Sequence, residues 1–325
     1  MVALLMPSGL RGAIVVKDGE AVAFLGDSIT QAGWSNPGGY VRLVVKGLEA
    51  NGVKITPIPA GIGGHESNQM LERLKRDVLD KKPTWMTLSC GVNDVWHGER
   101  GVPLEQYKAN ITAILDECRK AGVKVVVLTA TVIGEDLEND TNAKLAAYND
   151  FLRFIARERG CLLADVSRLF QDAIRGGNGS GRHLTTDGVH MNPSGDQLMA
   201  VGVLGALGLE RDHLERARAA WQEIPDGAAI QASFVAGRGQ TIRATRRVSL
   251  RDYERLLAVA RQRGTNLQEL ANGLLAEEVR ALLRPKGNYD SYEALFREMK
   301  PGEIGKVMEE RLARRLEEVL KGGGQ

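Results

Sequence analysis

The sequence has little of what disulfide-rich, membrane-spanning or nucleic-acid-binding proteins require. Cys90, Cys118 and Cys161 are its only cysteines, and an odd, scattered set describes neither a disulfide framework nor a zinc site. No apolar run reaches the roughly 20 residues of a transmembrane helix, and a formal net charge of +2 creates no global field toward polyanions. We therefore expect buried free thiols, no membrane association and no nucleic-acid partner.

The amino-terminal segment from Met1 to Ile14 also lacks the features of a signal peptide. Pro7, Gly9, Arg11 and Gly12 interrupt its apolar residues, and it has no basic start. As it stands, the sequence predicts a cytoplasmic protein, and unpaired cysteines agree with a reducing compartment. A periplasmic or secreted location stays open if a leader has been removed.

From residue 21 to about residue 208, apolar runs of strand length alternate with amphipathic helical patterns. This alternation predicts an α/β fold with a five-stranded parallel sheet covered on both faces. The predicted strands are Ala21–Leu25, Val53–Pro59, Trp85–Cys90, Val123–Ala130 and Cys161–Val166, and the predicted helices are Tyr40–Asn51, Ser67–Asp80, Leu104–Ala121, Asn142–Arg159 and Ser194–Leu207.

The texture changes after Gly208, so we place a first domain at residues 1–208 and a mainly helical extension at residues 209–325. We expect this extension to serve in oligomerisation or as a lid, and in the first case the chain would form a homo-oligomer through it. A β-hairpin is predicted near residues 229–248. The predicted helices are Glu210–Trp221, Leu250–Arg263, Asn266–Leu283, Tyr289–Met299 and Glu303–Lys321.

The segment Gly26-Asp27-Ser28 ends the first predicted strand. Ligands bind at the carboxyl ends of strands in open α/β sheets. A serine at this position can act as a nucleophile if a base and oxyanion donors converge on it. The alternative is a turn or helix cap, where Asp and Ser are also favoured.

Two further segments follow the second and third predicted strands and could supply oxyanion donors. The glycine block that contains Gly64 opens a helix, where backbone N–H groups are unsatisfied. Asn93 follows the next strand, and its amide can donate to developing negative charge. A glycine-rich connection and an Asx-type turn are the alternatives.

The segment Asp187-Gly188-Val189-His190 provides a histidine with an aspartate three residues earlier. A catalytic histidine needs an acceptor on one ring nitrogen to fix its tautomer, and this aspartate can supply it. A metal site formed by His183, Asp187 and His190 is the alternative. We favour the acid-base role, because no fourth ligand is evident.

Taken together, the four motifs resemble those of the SGNH hydrolases, also called the GDSL esterase family, over about residues 20–208. The resemblance implies a three-layer flavodoxin-like sandwich and a two-step acyl transfer without a metal or cofactor. By this analogy Ser28 is the nucleophile, His190 the base and Asp187 its orienting acid. The oxyanion hole would combine the N–H groups of Ser28 and Gly64 with the side chain of Asn93.

Some positions depart from the family pattern and bear on the pocket rim. Pro59 stands where an asparagine is frequent, and His65 stands where a small polar residue is frequent. The segment from Asn93 to Trp96 is similar to that of the family's acetylxylan esterases. We therefore predict short-chain, acetyl-type esters of carbohydrate as substrates, contacted by Asp27, His65 and Trp96. A thioesterase or lipase of the same fold remains an alternative.

The carboxyl-terminal extension offers a different kind of function. The stretch Thr241–Leu283 resembles a ribbon-helix-helix DNA-binding module, and Arg243, Arg246 and Arg247 fit the basic ribbon of such a module. The competing interpretation is a helical oligomerisation or lid element with a solvated basic face. We favour the second, because runs of charge are usually solvated.

Overall fold

The computed structural model describes residues 13–176, 184–236, 239–283 and 287–322. The chain divides into two units between Trp221 and Gln222. Five parallel strands form the central sheet of the first unit in the order β2-β1-β3-β4-β5. This sheet confirms the predicted α/β fold. The strands are β1 Ala21–Gly26, β2 Thr56–Gly61, β3 Trp85–Ser89, β4 Lys124–Leu128 and β5 Leu162–Ala164.

The second strand lies about three residues later than the sequence pattern predicts. It pairs with β1 through Val22 opposite Pro57 and Phe24 opposite Pro59. Proline has no N–H to donate to a ladder, but β2 is at the edge of the sheet, where proline is tolerated. The apolar residues alone therefore misplaced the strand bounds.

Helices of the first unit pack in two groups that flank the sheet, with α2, α8 and α7 in one and α3, α5 and α6 in the other. The sequence pattern had not indicated α1, α4 or α7. The helices are α1 Ser28–Ser35, α2 Tyr40–Glu49, α3 Ser67–Asp77, α4 Val92–Trp96, α5 Leu104–Lys120, α6 Asp140–Glu158, α7 Val166–Gly176, α8 Pro193–Ala206 and α9 Arg211–Gln222.

The first helix depends on tertiary contacts, because eight residues that include Gly33 are marginal as an isolated helix. The Asp27 side chain caps it by accepting the Ile29 N–H at 2.9 Å. Gly61 permits its close approach to β2, since a Cβ there would lie 2.3 Å from the Gln31 nitrogen. The helix that follows the first strand is thus fixed in place at its amino-terminal end.

The charged helix α9 belongs to the first unit, although the sequence pattern places it after the boundary at residue 208. Its Trp221 side chain is buried and donates from Nε1 to the Leu43 carbonyl at 2.8 Å. Ala217 is its other buried residue and packs beside Gly47. Two buried positions on an otherwise polar helix leave little hydrophobic pattern in the sequence.

The second unit contains an antiparallel hairpin of β6 Ala228–Val235 and β7 Thr241–Val248. Helices cover one side of the hairpin, with α11 against β6 and α13 against β7. No helix in the described part of the chain is long and apolar enough to cross a membrane. The helices of this unit are α10 Leu250–Gln262, α11 Leu267–Arg280, α12 Tyr292–Glu298 and α13 Pro301–Gly322.

The three cysteines are free, as expected. Cys90 and Cys118 are buried, whereas Cys161 is only half-buried. Burial raises the pKa of the Cys118 thiol to about 12 and that of Cys90 well above its ordinary value. These thiols therefore stay protonated and behave as small apolar side chains.

Candidate active site

The candidate nucleophile, Ser28, is the first residue of α1 and follows strand β1, which lies between β2 and β3 in the sheet. The first N–H groups of a helix have no partner within the helix, so the Ser28 N–H can donate elsewhere. Asp27 lies just before it with only 2% of its surface exposed. Burial raises the pKa of Asp27 to about 6, against the lowering effect of the Ile29 N–H.

The imidazole of His190 joins Ser28 to Asp187. Its Nε2 lies 2.9 Å from Ser28 Oγ, and its Nδ1 lies 2.6 Å from Asp187 Oδ2. An ionised carboxylate can only accept, so the ring proton is on Nδ1 and the Nε2 lone pair faces the serine hydroxyl. The three side chains thus form a relay in which His190 can take the Ser28 proton.

The loop itself holds the acid of this relay. Asp187 Oδ1 accepts the N–H groups of Val189 at 2.9 Å and His190 at 2.8 Å, and Gly188 has a φ of 102°. Burial acts to raise the pKa of Asp187, but hydrogen bonds from His190 and Val189 outweigh it and lower the pKa to about 2. The carboxylate is therefore ionised at neutral pH.

The glycine block follows β2, which neighbours β1 in the sheet. Its Gly63 N–H donates to Gln31 Oε1 on α1 at 3.0 Å, and a Cβ on Gly63 would lie 3.8 Å from that of Ser28. Gly64 has a φ of +77°, a conformation that favours glycine. The block therefore runs directly beside the nucleophile.

Asn93 lies in α4 after β3, the other neighbour of β1. Its side chain is buried, and Nδ2 donates to the His65 carbonyl at 3.1 Å. An amide carries two N–H groups, so this contact fixes the side chain and leaves the second N–H to donate. The three segments that were expected to supply oxyanion donors thus follow three adjacent strands.

Arg73 on α3 was not singled out by sequence analysis, yet its buried guanidinium ties these segments together. It donates to the carbonyls of Gly26 and Ala60, both at 2.8 Å. Its Nε donates to His65 Nδ1 at 3.1 Å. Burial and the neighbouring Arg73 charge lower the pKa of His65. Both effects favour the neutral imidazole, whose unprotonated Nδ1 can accept the Arg73 N–H. An arginine on a helix carries no local signal of such a role.

Asp94 was also missed, and it anchors the start of α3. Its Oδ1 accepts the Ser67 N–H at 3.0 Å, and the residue is buried. Burial raises the pKa of Asp94, in part against its bonds with Ser67. The carboxylate therefore holds the end of the glycine block against the segment that carries Asn93.

Trp96 presents an aromatic surface beside the candidate base. Its ring centroid lies 6.2 Å from that of His190, at an interplanar angle of 77°, and the residue is 46% exposed. It also stacks with His97, whose Nδ1 lies 2.7 Å from Glu66 Oε1. The tryptophan thus contacts the rings of two histidines while almost half of its surface remains exposed.

The structure brings together most of the predicted site residues. Ser28, Asp187 and His190 are in contact, and His65 is bonded to Asn93 through its backbone. Asp27 instead lies behind the nucleophile as a helix cap, so its buried carboxylate does not line the pocket rim. The described residues contain no group of three or more potential metal ligands. His183, from the alternative metal set, lies outside them.

Comparison with known proteins places this site in a family context. Residues 24–198 match the GDSL-like lipase/acylhydrolase family. An acetylxylan esterase of Geobacillus stearothermophilus is 26% identical over 216 residues, which cover 60% of this chain and 97% of that protein. Esterase TesA of Pseudomonas aeruginosa is 31% identical over 131 residues, or 39% of this chain and 64% of that protein.

Solved structures give the same picture. The crystal structure of Axe2, the acetylxylan esterase from Geobacillus stearothermophilus, has a TM-score of 0.56 and covers 60% of this chain and 97% of that one. The acetyl xylan esterase AlAXEase has 32% sequence identity and a TM-score of 0.53, and it covers 57% of this chain and 98% of that one.

Proposed function

The chain belongs to the GDSL-like lipase/acylhydrolase family and is a serine esterase of acetylated substrates, and we propose that it removes acetyl groups from carbohydrates by an acyl-enzyme mechanism. The observation that carries the mechanism is the continuous contact from Ser28 Oγ through His190 to Asp187. The similarity to two acetylxylan esterases supports the acetyl group and the carbohydrate.

In the first step, Ser28 Oγ forms a bond to the ester carbonyl carbon while His190 Nε2 takes its proton. The carbonyl oxygen becomes an oxyanion, which the N–H groups of Ser28 and Gly64 and the free N–H of Asn93 would stabilise. The bond from carbon to the sugar oxygen then breaks, and His190 gives its proton to the departing alcohol.

In the second step, His190 takes a proton from water as the water oxygen attacks the acetyl carbon. The bond to Ser28 Oγ breaks, the proton returns to that oxygen, and acetic acid leaves and loses its own proton to solvent. Neither step needs a metal or an organic cofactor, because the nucleophile, the base and the oxyanion donors are all protein groups. Dialysis against a chelator should therefore leave the activity unchanged, and restoration of lost activity by zinc would favour the metal alternative.

Trp96 supports a sugar ring as the alcohol part of the substrate. Its half-exposed ring lies 6.2 Å from that of His190, which must give its proton to the departing alcohol. Aromatic faces offer a rigid apolar surface with little conformational entropy to lose, which suits the flat C–H face of a pyranose. Contact between the sugar ring and Trp96 would hold the acetylated oxygen beside His190 and Ser28.

The mechanism is tested by Ser28→Ala, measured on 4-nitrophenyl acetate. The loss of the nucleophile should lower kcat by about 10⁴-fold or more. Ser35→Ala is the matched control, because Ser35 is an exposed serine at the other end of the same helix. Substantial turnover by folded Ser28→Ala protein would reject the acyl-enzyme mechanism.

The substrate class is tested with two series. Rates on 4-nitrophenyl esters should fall steeply from acetyl to octanoyl, and acetate should be released from acetylated xylan. Trp96→Ala should raise KM for acetylated xylo-oligosaccharides several-fold while kcat/KM on 4-nitrophenyl acetate changes little. If Trp96→Ala impaired the hydrolysis of both substrates equally, the proposed contact between Trp96 and the sugar would be wrong.

A thioesterase or lipase remains the alternative within the same family. It would be favoured by rates that rise with acyl chain length, or by faster hydrolysis of acyl-coenzyme A than of acetylated sugars. Either result would keep the Ser28 mechanism and replace the carbohydrate as substrate.

A further inference from the structure

The hairpin of the second unit has two sides of different chemistry. Its strands pair over eight positions, and side chains alternate between the sides. Ile230, Ala232, Ile242 and Ala244 are buried on the side that the helices cover. The opposite side, which we call the outer face, consists of Ala229, Gln231, Ser233, Val235, Thr241, Arg243, Thr245 and Arg247.

The outer face is exposed, whereas the edges of the hairpin are occupied. Gln231, Arg243 and Arg247 are all exposed. At the β6 edge, α11 caps the backbone, because Asn272 Oδ1 accepts the Ser233 N–H at 2.8 Å and Gln268 donates to the Gln231 carbonyl at 2.9 Å.

At the β7 edge, α13 approaches so closely that a Cβ on Gly305 would lie 2.2 Å from the Arg243 carbonyl oxygen. Both backbone edges are therefore closed to another strand, which excludes extension of this sheet by a second copy or a peptide. A partner can use only the side chains of the outer face.

The side chains of the outer face favour a polyanion over a protein partner. Arg243 and Arg247 lie on this face, and residues 228–248 contain no Asp or Glu. The middle of the outer face consists of the cross-strand pairs Gln231 with Thr245 and Ser233 with Arg243, whereas the centre of a stable protein interface is apolar. The ion pairs among described residues include neither Arg243 nor Arg247, so these charges are not neutralised by a carboxylate.

A two-stranded ribbon has the dimensions that the major groove of B-form DNA admits. There, arginine pairs with guanine, glutamine with adenine, and serine or threonine with either, and the outer face carries all of these types. From this match of shape, charge and hydrogen-bonding groups, we propose that the outer face binds duplex DNA in the major groove. The near-neutral net charge of the whole chain gives no indication of this local basic surface. The proposal therefore differs from the expectation, drawn from net charge, of no nucleic-acid partner.

The test uses the full-length protein and a fluorescein-labelled duplex DNA of random sequence, followed by fluorescence anisotropy across a salt series. Binding should be detectable at about 50 mM salt and should weaken steeply as salt rises. The variant Arg243→Gln with Arg247→Gln should bind about 10-fold or more weakly, because two cationic groups that contact the DNA are lost, and its dependence on salt should become shallower.

The matched control is Arg261→Gln with Arg263→Gln, which removes the same charge from exposed positions. These residues lie at the carboxyl-terminal end of α10, whose 13 residues carry them about 20 Å along the helix from the end of β7. Affinity and salt slope should stay close to those of the wild type. An equal loss in both variants would show general electrostatic attraction and would overturn the proposal.

A duplex RNA of the same length separates groove binding from attraction to any polyanion. The major groove of A-form RNA is too deep and narrow for side chains to read, so RNA should bind at least about 10-fold more weakly than DNA. Equal affinity for DNA, RNA and heparin would overturn the proposal, as would no binding to DNA at low salt.

A second variant and a second measurement keep the test decisive. Gln231→Ala with Thr245→Ala removes hydrogen-bonding groups without charge, so it should weaken DNA binding with no change in salt slope. Sedimentation in the absence of DNA reports a second copy of the chain as the occupant. A dimer that the Arg243→Gln, Arg247→Gln variant abolishes would overturn the proposal in favour of self-association.

Discussion

The buried carboxyl group of Asp196 should make the stability of the first unit depend on pH. Asp196 Oδ1 accepts the Tyr40 N–H at 2.9 Å, at the start of α2. Burial raises the pKa of Asp196 to about 7, against the lowering effect of the Tyr40 N–H. Asn in its place would keep an oxygen for this N–H but could not ionise.

The sign of the effect follows from the raised pKa. The folded protein holds this proton more tightly than the unfolded chain, where Asp has a pKa of about 3.9. The stabilisation is fully present below about pH 4 and is lost as pH rises toward 7. Three pKa units correspond to about 4 kcal/mol in all, of which about 3 kcal/mol is lost between pH 5 and pH 8. The free energy of unfolding of Asp196→Asn, relative to that of the wild type, should therefore rise by about 3 kcal/mol between pH 5 and pH 8.

Urea unfolding at pH 5 and pH 8, followed by tryptophan fluorescence, measures this difference. The signal reports the first unit alone, because all four tryptophans precede residue 222. Asp212→Asn on α9 is the control, since Asp212 is exposed and should follow the wild type. The reasoning fails if this difference in the free energy of unfolding between Asp196→Asn and the wild type changes by less than about 0.5 kcal/mol between the two pH values. The Asp196 side chain would then not carry a buried proton.

Three further substitutions test the site and its scaffold. Asn93→Ala should lower kcat by about 10²–10³-fold with little change in KM, because the oxyanion forms only toward the transition state; a normal kcat would remove this amide from the oxyanion hole. Asp27→Ala should lower the free energy of unfolding by about 1 kcal/mol through loss of the helix cap, and Asp27→Asn should lower it less, because Asn also caps helices. Equal losses in urea titrations would show that Asp27 does not stabilise α1 as a cap. Arg73→Met should cost about 3 kcal/mol, because two carbonyls lose their buried partner. Arg76→Met, at an exposed position, should stay near the wild-type melting temperature, and similar melting of both variants would show that the buried contacts add little.

The parallel sheet could be predicted because its strands are continuous apolar runs, and Lys124–Leu128 has its predicted bounds to within two residues. The short helix α1 could not, because Gly33 and its length argue against a helix in isolation. Its stability comes from the Asp27 cap and from contact with Gly61, which lies about 30 residues away in the sequence. Local patterns therefore predict the layers of this fold better than the connections that complete the site.

Sequence motifs also identified the side chains that can react, since Ser28, Asn93 and His190 belong to recognisable segments at strand ends. The groups that hold them had no such signal. Arg73 and Asp94 are ordinary members of charged or polar segments, and their importance depends on burial and on carbonyl and N–H partners distant in sequence. A helix cap in the segment of Asp27 was only the alternative in the sequence analysis, because the N–H group that Asp27 accepts is identified only once α1 is known.

The placement of Asp187 and His190 in one turn has a consequence for how such a catalyst can diverge. The Asp187 carboxylate accepts three hydrogen bonds, two of them from the loop backbone, and all three donors lie within residues 187–190. The geometry of the pair therefore depends on this turn alone. Insertions or deletions elsewhere in the chain cannot separate the acid from the base. The tautomer of the imidazole is also set within the loop, by the contact between Asp187 and Nδ1. Divergence can therefore remodel the rest of the pocket freely, provided that one distance, from Nε2 to the serine oxygen, is restored.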